Sequence, residues 1–434
     1  MTEKKINVDY MSRVEGEGAL RIHFKDDQVS EVQLNIFEPP RFFEAFLHGR
    51  SYDDVVDITA RICGICPVAY QMSATHALEK ALGITPPPGI RSLRRLFYCG
   101  EWIESHALHV YMLHAPDYLG YESAISMAGN PELLPVVKRA LRMKKAGNDL
   151  MVVIGGREIH PVSACVGGFY AAPSQKALKA LLPELEWGLN AAIDTVQWAA
   201  TLEYPDFEVD YEFVSLSHPD EYPFNEGSIL SSTGLDVPME EFDQHYVEHQ
   251  VAHSNALHAR RVDSGSTYMV GPQARFNLNF ERLSPTVRDL SDEIGLELPV
   301  RNPFHSLIIR SLEMVNAFEE AVQLIESYEQ PRQSRAEIPQ PLQAGEGCHA
   351  TEAPRGLLFH RYRVDENGLI TFARIVPPTS QNQPRIEADL WQYAPGVIQL
   401  PLEEATLRCE QLVRCYDPCI SCATHFLKLD IVHD

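Results

Sequence analysis

The first forty residues alternate in short apolar runs punctuated by Gly16, Gly18 and Asp26-Asp27. They predict strands at Ile6–Tyr10, Ala19–Phe24 and Gln28–Phe37. From residue 51 the apolar period lengthens. Residues 51–83 read as helical until Pro86-Pro87-Pro88-Gly89 stops them, and Ile90–His114 sets Leu93, Phe97, Ile103, Leu108 and Met112 near helical spacing. Further helices are expected at Pro131–Asn148, Ser174–Leu202, Met239–Arg260, Pro285–Glu293 and Leu307–Gln330. From Gln330 to Gly347 the chain is polar and rich in Pro, Gln and Gly, which reads as a long loop. Leu357–Val364 and Leu369–Val376 then flank Asp365-Glu366-Asn367-Gly368, and Asn-Gly suits a tight hairpin turn. A helix at Leu402–Tyr416 follows. The expectation is an α+β, predominantly helical fold with a long-helix core and small sheets near both chain ends. It is one domain over 1–434: N-terminal strands in 1–50, a helical body in 51–330, a loop in 331–356, a hairpin and C-terminal segment in 357–425, and a tail in 426–434.

Composition narrows the function classes. With 37 Lys and Arg against 60 Asp and Glu, the net charge of −23 repels phosphate backbones and anionic lipids, so nucleic-acid and membrane-surface binding are not expected. No apolar run is long enough to span a bilayer, and Met1–Gly18 lacks the layout of an export signal, so the cytoplasm is the expected compartment. Nine cysteines in 434 residues are too few for a disulfide scaffold, and clustered thiols in a reducing compartment point to metal or redox chemistry.

Two Cys-x-x-Cys pairs stand out, Cys63-Gly64-Ile65-Cys66 and Cys419-Ile420-Ser421-Cys422. That spacing lets two thiolates converge on one metal, and the two pairs together form a tetrathiolate set. Zinc modules keep their pairs within a few tens of residues, whereas here a large folded body has to bring the chain ends together. On spacing alone, structural zinc, an iron–sulfur cluster, independent redox motifs and a reactive metal site all remain open.

The flanking residues are more specific. The first pair lies in Arg61-Ile62-Cys63-Gly64-Ile65-Cys66-Pro67 and the second in Asp417-Pro418-Cys419-Ile420-Ser421-Cys422-Ala423-Thr424-His425. Ser12-Arg13-Val14-Glu15-Gly16 precedes both, and Glu352-Ala353-Pro354-Arg355-Gly356 lies between. Together these four blocks resemble the large subunit of nickel–iron hydrogenases over almost the full chain. The resemblance implies that family's fold and a reversible heterolytic cleavage of dihydrogen. It also implies nickel bound by Cys63, Cys66, Cys419 and Cys422, with Cys66 and Cys422 bridging to an iron that bears carbon monoxide and cyanide. Glu15 would relay protons from Cys419. Arg355 would sit above the metals as a fixed charged donor, and Thr379 or Ser380, with Thr379 preferred, would hydrogen-bond a cyanide. Glu44 and His425 would bind a second metal, usually magnesium.

The sequence departs from the family's respiratory members at Tyr70, where they carry histidine, and at Ser105, where they carry aspartate. With Pro67 and Thr379-Ser380-Gln381-Asn382, these departures resemble the cytoplasmic cofactor-linked branch, including the NADP-dependent sulfhydrogenase type. Gly155-Gly156 and Gly167-Gly168 fit no nucleotide-loop pattern, so NAD(P) is expected on flavin/NAD(P)-binding diaphorase subunits. With both cysteine pairs assigned no cluster-binding pattern remains, so an iron–sulfur small subunit is the expected partner. A maturation protease is expected to remove the tail after His425. His106 and His109 read as core histidines, and Cys99, Cys165, Cys348, Cys409 and Cys415 as core thiols. A hydrogen-sensing regulator and a metal-free relative from respiratory complex I are the alternatives, the second disfavoured by retention of all four cysteines.

Overall fold

A computed structural model describes residues 3–424; His425 and the expected tail at 426–434 lie outside the described residues. The N-terminal alternation forms an antiparallel sheet of Glu3–Val8, Gly18–Lys25 and Gln28–Ile36, with Ile6 opposite Ile22 and Leu20 opposite Leu34. The sheet buries Ile6, Leu20, Ile22 and Leu34 in a cluster shared with Ile386 and Leu390 of a helix at Pro378–Val397.

At the centre, Ile90–Leu108 packs against Leu134–Gly155 on one side and Ser306–Glu326 on the other, which in turn packs on Leu182–Ala200. The first of these helices widens into a π-helical stretch at His109–His114 before resuming at Ala115–Leu119. The expected hairpin forms from Gly356–Val364 and Ile370–Val376, closed where the Gly368 amide donates to the Asp365 carbonyl at 3.0 Å. No helix among the described residues is long and apolar enough to cross a membrane.

Three expectations are corrected. Residues 331–356 are not all loop, because Gly345–Ala353 is a strand paired along its whole length with Gly356–Val364. It lies so close to the Pro67–Leu82 helix that a Cβ on Gly347 would stand 2.2 Å from the Ala77 carbonyl oxygen. Only glycine permits that approach, and the sequence reads as loop for the same reason. The helix expected at Met239–Arg260 is instead a short turn, Phe242–His245, followed by a hairpin of Tyr246–Val251 and Ser254–Arg261. Val247 and Val251 suit extended backbone, and the tight packing of Ala256, Leu257 and Ala259 settles the segment as strand. Sheets are therefore not confined to the chain ends, since Val214–Ser217, Ser228–Ser231 and Asp236–Val237 form another inside the expected helical body.

Candidate metal centre

Cys63 follows the Tyr52–Thr59 helix, and Cys66 stands immediately before the Pro67–Leu82 helix, whose first position is a proline suited to a helix start. The first backbone amides of that helix, Val68 and Ala69, donate to the buried Glu101 carboxylate at 2.6 and 3.1 Å. Burial nonetheless pushes Glu101 well above the usual carboxylate range. The loop folds back on its own sulfur, with the Ile65 and Cys66 amides donating to Cys63 Sγ at 3.4 and 3.2 Å.

The second pair arrives from the other end of the chain. Cys419 opens the short Ile420–Ala423 turn, and its amide donates to Thr379 Oγ1 at 3.0 Å. Cys63 Sγ and Cys419 Sγ, 356 residues apart in sequence, lie 3.6 Å from each other. Cys419 and Cys422 bring their sulfurs to 2.50 Å, and the sulfurs of Cys63, Cys419 and Cys422 all fall within 4.8 Å of one another. Cys66 lies outside that compact trio, with its sulfur facing Arg355. All four residues are no more than 3% exposed and belong to the main hydrophobic core. Burial pushes both thiols of the first pair up. At Cys63 the hydrogen bond from Cys66 and the charge of Arg355 outweigh burial and bring the thiol below its ordinary value, while Cys66 is held well above it.

Glu15 is stitched to this segment. Its carbonyl accepts from the Ile420 amide at 2.9 Å, and its Oε2 lies 3.1 Å from the Ser421 amide and 3.0 Å from Cys419 Sγ. The next residue has φ +88, and a Cβ there would stand 2.6 Å from Ile420 Cβ, so Gly16 is what lets the Glu15 segment press onto the cysteine turn.

Arg355 closes the opposite side, in the turn between Gly345–Ala353 and Gly356–Val364. Its Nε donates to the Asp417 carbonyl at 2.7 Å, its Nη2 to Asp417 Oδ1 at 3.1 Å, and its Nη1 lies 4.0 Å from Cys66 Sγ. Burial alone would lower this guanidinium, but Asp417 and the neighbouring thiols raise it above its ordinary value, so it remains charged. Arg310, from the Ser306–Glu326 helix, approaches the same aspartate at 3.5 Å. Removing one partner from such a buried set strands a charge at a cost of about 3–5 kcal/mol.

Thr379 is thus beside Cys419, whereas the Ser380 hydroxyl donates away from the cysteines, to Glu248 and to the Pro377 carbonyl at 2.9 and 3.1 Å. Glu44 accepts from the Ile375 amide at 2.6 Å, and a backbone bond from Arg41 to Thr424 holds its segment against the C-terminal turn. Its expected companion, His425, is outside the described residues. Tyr70 and Ser105 are both buried, and neither hydroxyl has a hydrogen-bond partner among the described residues. His106 and His109 are core residues, the former 2.9 Å from Glu313 and the latter bonded to the Arg414 carbonyl at 2.7 Å.

Sequence reasoning did not assign roles to Asp417, Arg310 or Glu101. Asp417 stands two residues before Cys419 in the Asp417-Pro418-Cys419 block, a usable signal. Arg310 and Glu101 sit in buried helices that carry other charges as well, with no local signal that sets them apart. The donor chemistry fits a soft transition-metal centre. Three buried cysteine sulfurs converge with the fourth, Cys66, beside them, a fixed cation offsets thiolate charge, and the one carboxylate at the sulfurs is only half-buried.

Comparison with known proteins agrees. The family described as nickel-dependent hydrogenase matches residues 41–132 and 264–425. Sulfhydrogenase 1 subunit alpha of Pyrococcus furiosus is 35% identical, covering 98% of each chain. The NAD-reducing hydrogenase HoxS subunit beta of Cupriavidus necator is 26% identical over 98% of this chain and 95% of that one. A crystal structure of an NAD+-reducing [NiFe]-hydrogenase in its H2-reduced state superposes with TM-score 0.88 at 26% identity, covering 97% of this chain and 99% of the other.

Proposed function

The chain belongs to the nickel-dependent hydrogenase family as a catalytic large subunit, and from that premise we propose that Cys63, Cys66, Cys419 and Cys422 hold its nickel and iron. Cys63 and Cys419 would bind nickel alone, and Cys66 and Cys422 would also reach the iron. When bound, the two metals supply the redox chemistry that interconverts dihydrogen with protons and electrons. The chain's own residues provide the rest. The observation that supports the reading best is the approach of Cys63 and Cys419 to 3.6 Å from opposite ends of the sequence.

Glu15 moves the proton. Its Oε2 is 3.0 Å from Cys419 Sγ, within reach for direct transfer, and its half-buried position opens a way toward solvent. Arg355 is a preorganised cation. Two bonds to Asp417 fix its fork, leaving Nη1 directed at Cys66, where it can stabilise negative charge without reorganising. The surrounding hydrophobic core excludes water and so strengthens that effect. Carbon monoxide and cyanide on the iron, and a hydrogen bond to cyanide from Thr379, belong to the same proposal. Ser380 is the weaker candidate because its hydroxyl is already committed to Glu248 and Pro377. Glu44 with His425 is proposed as a magnesium site.

Electrons need a route out. The remaining cysteines, Cys99, Cys165, Cys348, Cys409 and Cys415, are each buried and join no metal-ligating group among the described residues. An iron–sulfur small subunit is therefore proposed, with flavin/NAD(P)-binding diaphorase subunits delivering electrons to NADP or NAD in the cytoplasm. Similarity to an NAD-reducing hydrogenase supports the acceptor, and similarity to the subunit alpha of a sulfhydrogenase supports a multisubunit complex. A maturation protease acting after His425 completes the proposed partners. The test is element analysis with infrared spectroscopy of the purified complex: nickel and iron with diatomic-ligand bands support the reading, and zinc without such bands opposes it. Mixing the complex with NAD+ or NADP+ under dihydrogen then identifies the acceptor.

A further inference from the structure

Away from the cysteines, three polar side chains converge where the N-terminal sheet, the Tyr246–Arg261 hairpin and the Pro378–Val397 helix meet. His253 occupies the hairpin turn, His258 projects from the second strand, and Glu387 comes from the helix about two turns beyond Thr379. His253 Nε2 lies 2.7 Å from Glu387 Oε1, and His258 Nδ1 is 3.9 Å from Glu387 Oε2. One ligand atom from each of the three falls within 4.8 Å of the others. The same carboxylate accepts the Leu34 amide at 2.8 Å, so its orientation is fixed by the sheet.

His258 is the informative member. It is only 1% exposed, its Nε2 has no hydrogen-bond partner, and its Nδ1 comes no nearer than 3.9 Å to the carboxylate. Leaving such a group unsatisfied in the interior costs about 1–3 kcal/mol. A histidine retained for packing would normally bond a backbone carbonyl, as His109 does with Arg414. We propose that His253, His258 and Glu387 form a further metal site, separate from the cysteine centre and from Glu44 with His425, for a divalent transition ion of the zinc class, that ties the hairpin and the N-terminal sheet to the helix carrying Thr379.

The donor set suits that ion class. Two imidazole nitrogens and one carboxylate oxygen are borderline ligands, and three protein ligands leave a fourth position for water. Around a tetrahedral zinc ion with bonds of roughly 2.0–2.2 Å, ligand atoms stand about 3.4 Å apart, so small side-chain rotations would part His253 from Glu387, now at 2.7 Å, and draw in His258, now at 3.9 Å. Burial depresses His258 to about 4, so its imidazole is already in the neutral form that binds metal. The hydrogen bond to Glu387 raises His253, with burial opposing, so metal would displace a proton there. Glu31 and Arg260 are the other charges acting on the two histidines, and they are of opposite sign. His253 and Glu387 are partly exposed, which gives an ion a way in.

The experiment uses the holoenzyme after washing with a chelator of divalent ions. It is dialysed against zinc alone, then against metal-free buffer, and zinc per chain is counted. Wild-type protein should retain one zinc that His253→Gln and Glu387→Gln bind at least about tenfold more weakly, since loss of even an outer-shell partner commonly costs that much. His253 is only partly buried, in the hairpin turn, so its variant separates lost ligation from lost folding. Cobalt in place of zinc should give a visible spectrum free of thiolate charge transfer. No added zinc in the wild type, equal retention in both variants, or a thiolate signature in the cobalt spectrum would each overturn the proposal.

Discussion

Glu15 Oε2 lies 3.0 Å from Cys419 Sγ, although 404 residues separate them in sequence. The carboxylate is held by the Ser421 amide, and the Glu15 backbone is bridged to the cysteine turn, so the pair is positioned from both sides. A carboxylate fixed in this way is placed to exchange a proton with the sulfur.

Glu15→Gln keeps the amide contact to Ser421 and the shape of the side chain but cannot take up a proton. Metal content should be unchanged, while hydrogen–deuterium exchange between dihydrogen and solvent falls by about a hundredfold or more. Mass spectrometry of the evolved gas reads this directly. Exchange at the wild-type rate would leave Glu15 as a structural clasp.

Arg355→Lys retains one positive charge but cannot bond the Asp417 carbonyl and carboxylate while also facing Cys66. Turnover should drop by about one to two orders of magnitude with nickel intact. Asp417→Asn should give a smaller loss in the same direction, because it loosens the arginine without removing it. Wild-type turnover in Arg355→Lys would reduce the residue to closing its turn.

Thr379→Val removes the acceptor for the Cys419 amide and leaves a buried N–H unpaired, at about 1–3 kcal/mol. Thr379→Ser should restore the acceptor and most of the stability. If the hydroxyl also donates to a cyanide, the infrared cyanide band of Thr379→Val will shift while that of Ser380→Ala stays in place. A shift in Ser380→Ala alone would reverse the assignment.

Glu104 gives a pH-dependent prediction. Burial raises its carboxyl from 4.5 to about 7, against the opposing pull of Lys144 at 3.1 Å. For an acid whose folded value is raised, the stability contribution is full below the unfolded value, declines as pH rises from 4.5 to about 7, and is flat beyond. A shift of that size corresponds to about 3 kcal/mol as an order of magnitude. Glu104→Gln cannot titrate, so its melting temperature relative to wild type should climb through that window and then level. A difference independent of pH would place the Glu104 carboxyl near its ordinary value.

Much of this arrangement is legible in the sequence. Asn367-Gly368 marks its hairpin because a tight turn needs positive φ, and Gly368 has φ +78. The four cysteines are identifiable because their flanking residues are specific. The Pro378–Val397 helix is not, because it opens on a polar run and contains Pro384 and Pro395, yet its first eight residues are all buried. Two of these polar side chains find their partners at long range: Asn382 pairs with the Val270 backbone and Gln381 with the Leu357 carbonyl. The strand leading to Glu352 is hidden for the same reason, since that carboxylate is buried against Arg275 and the Leu216 amide. A local window shows only polarity where the fold supplies distant partners.

The central claim is that the four cysteines act as one metal-binding unit, and nickel per chain in Cys63→Ser tests it most directly. Wild-type complex should contain one nickel per chain. The variant, in which a hard oxygen replaces a soft ligand at the sulfur 3.6 Å from Cys419, should contain little or none. Nickel at the wild-type level in Cys63→Ser would contradict the account.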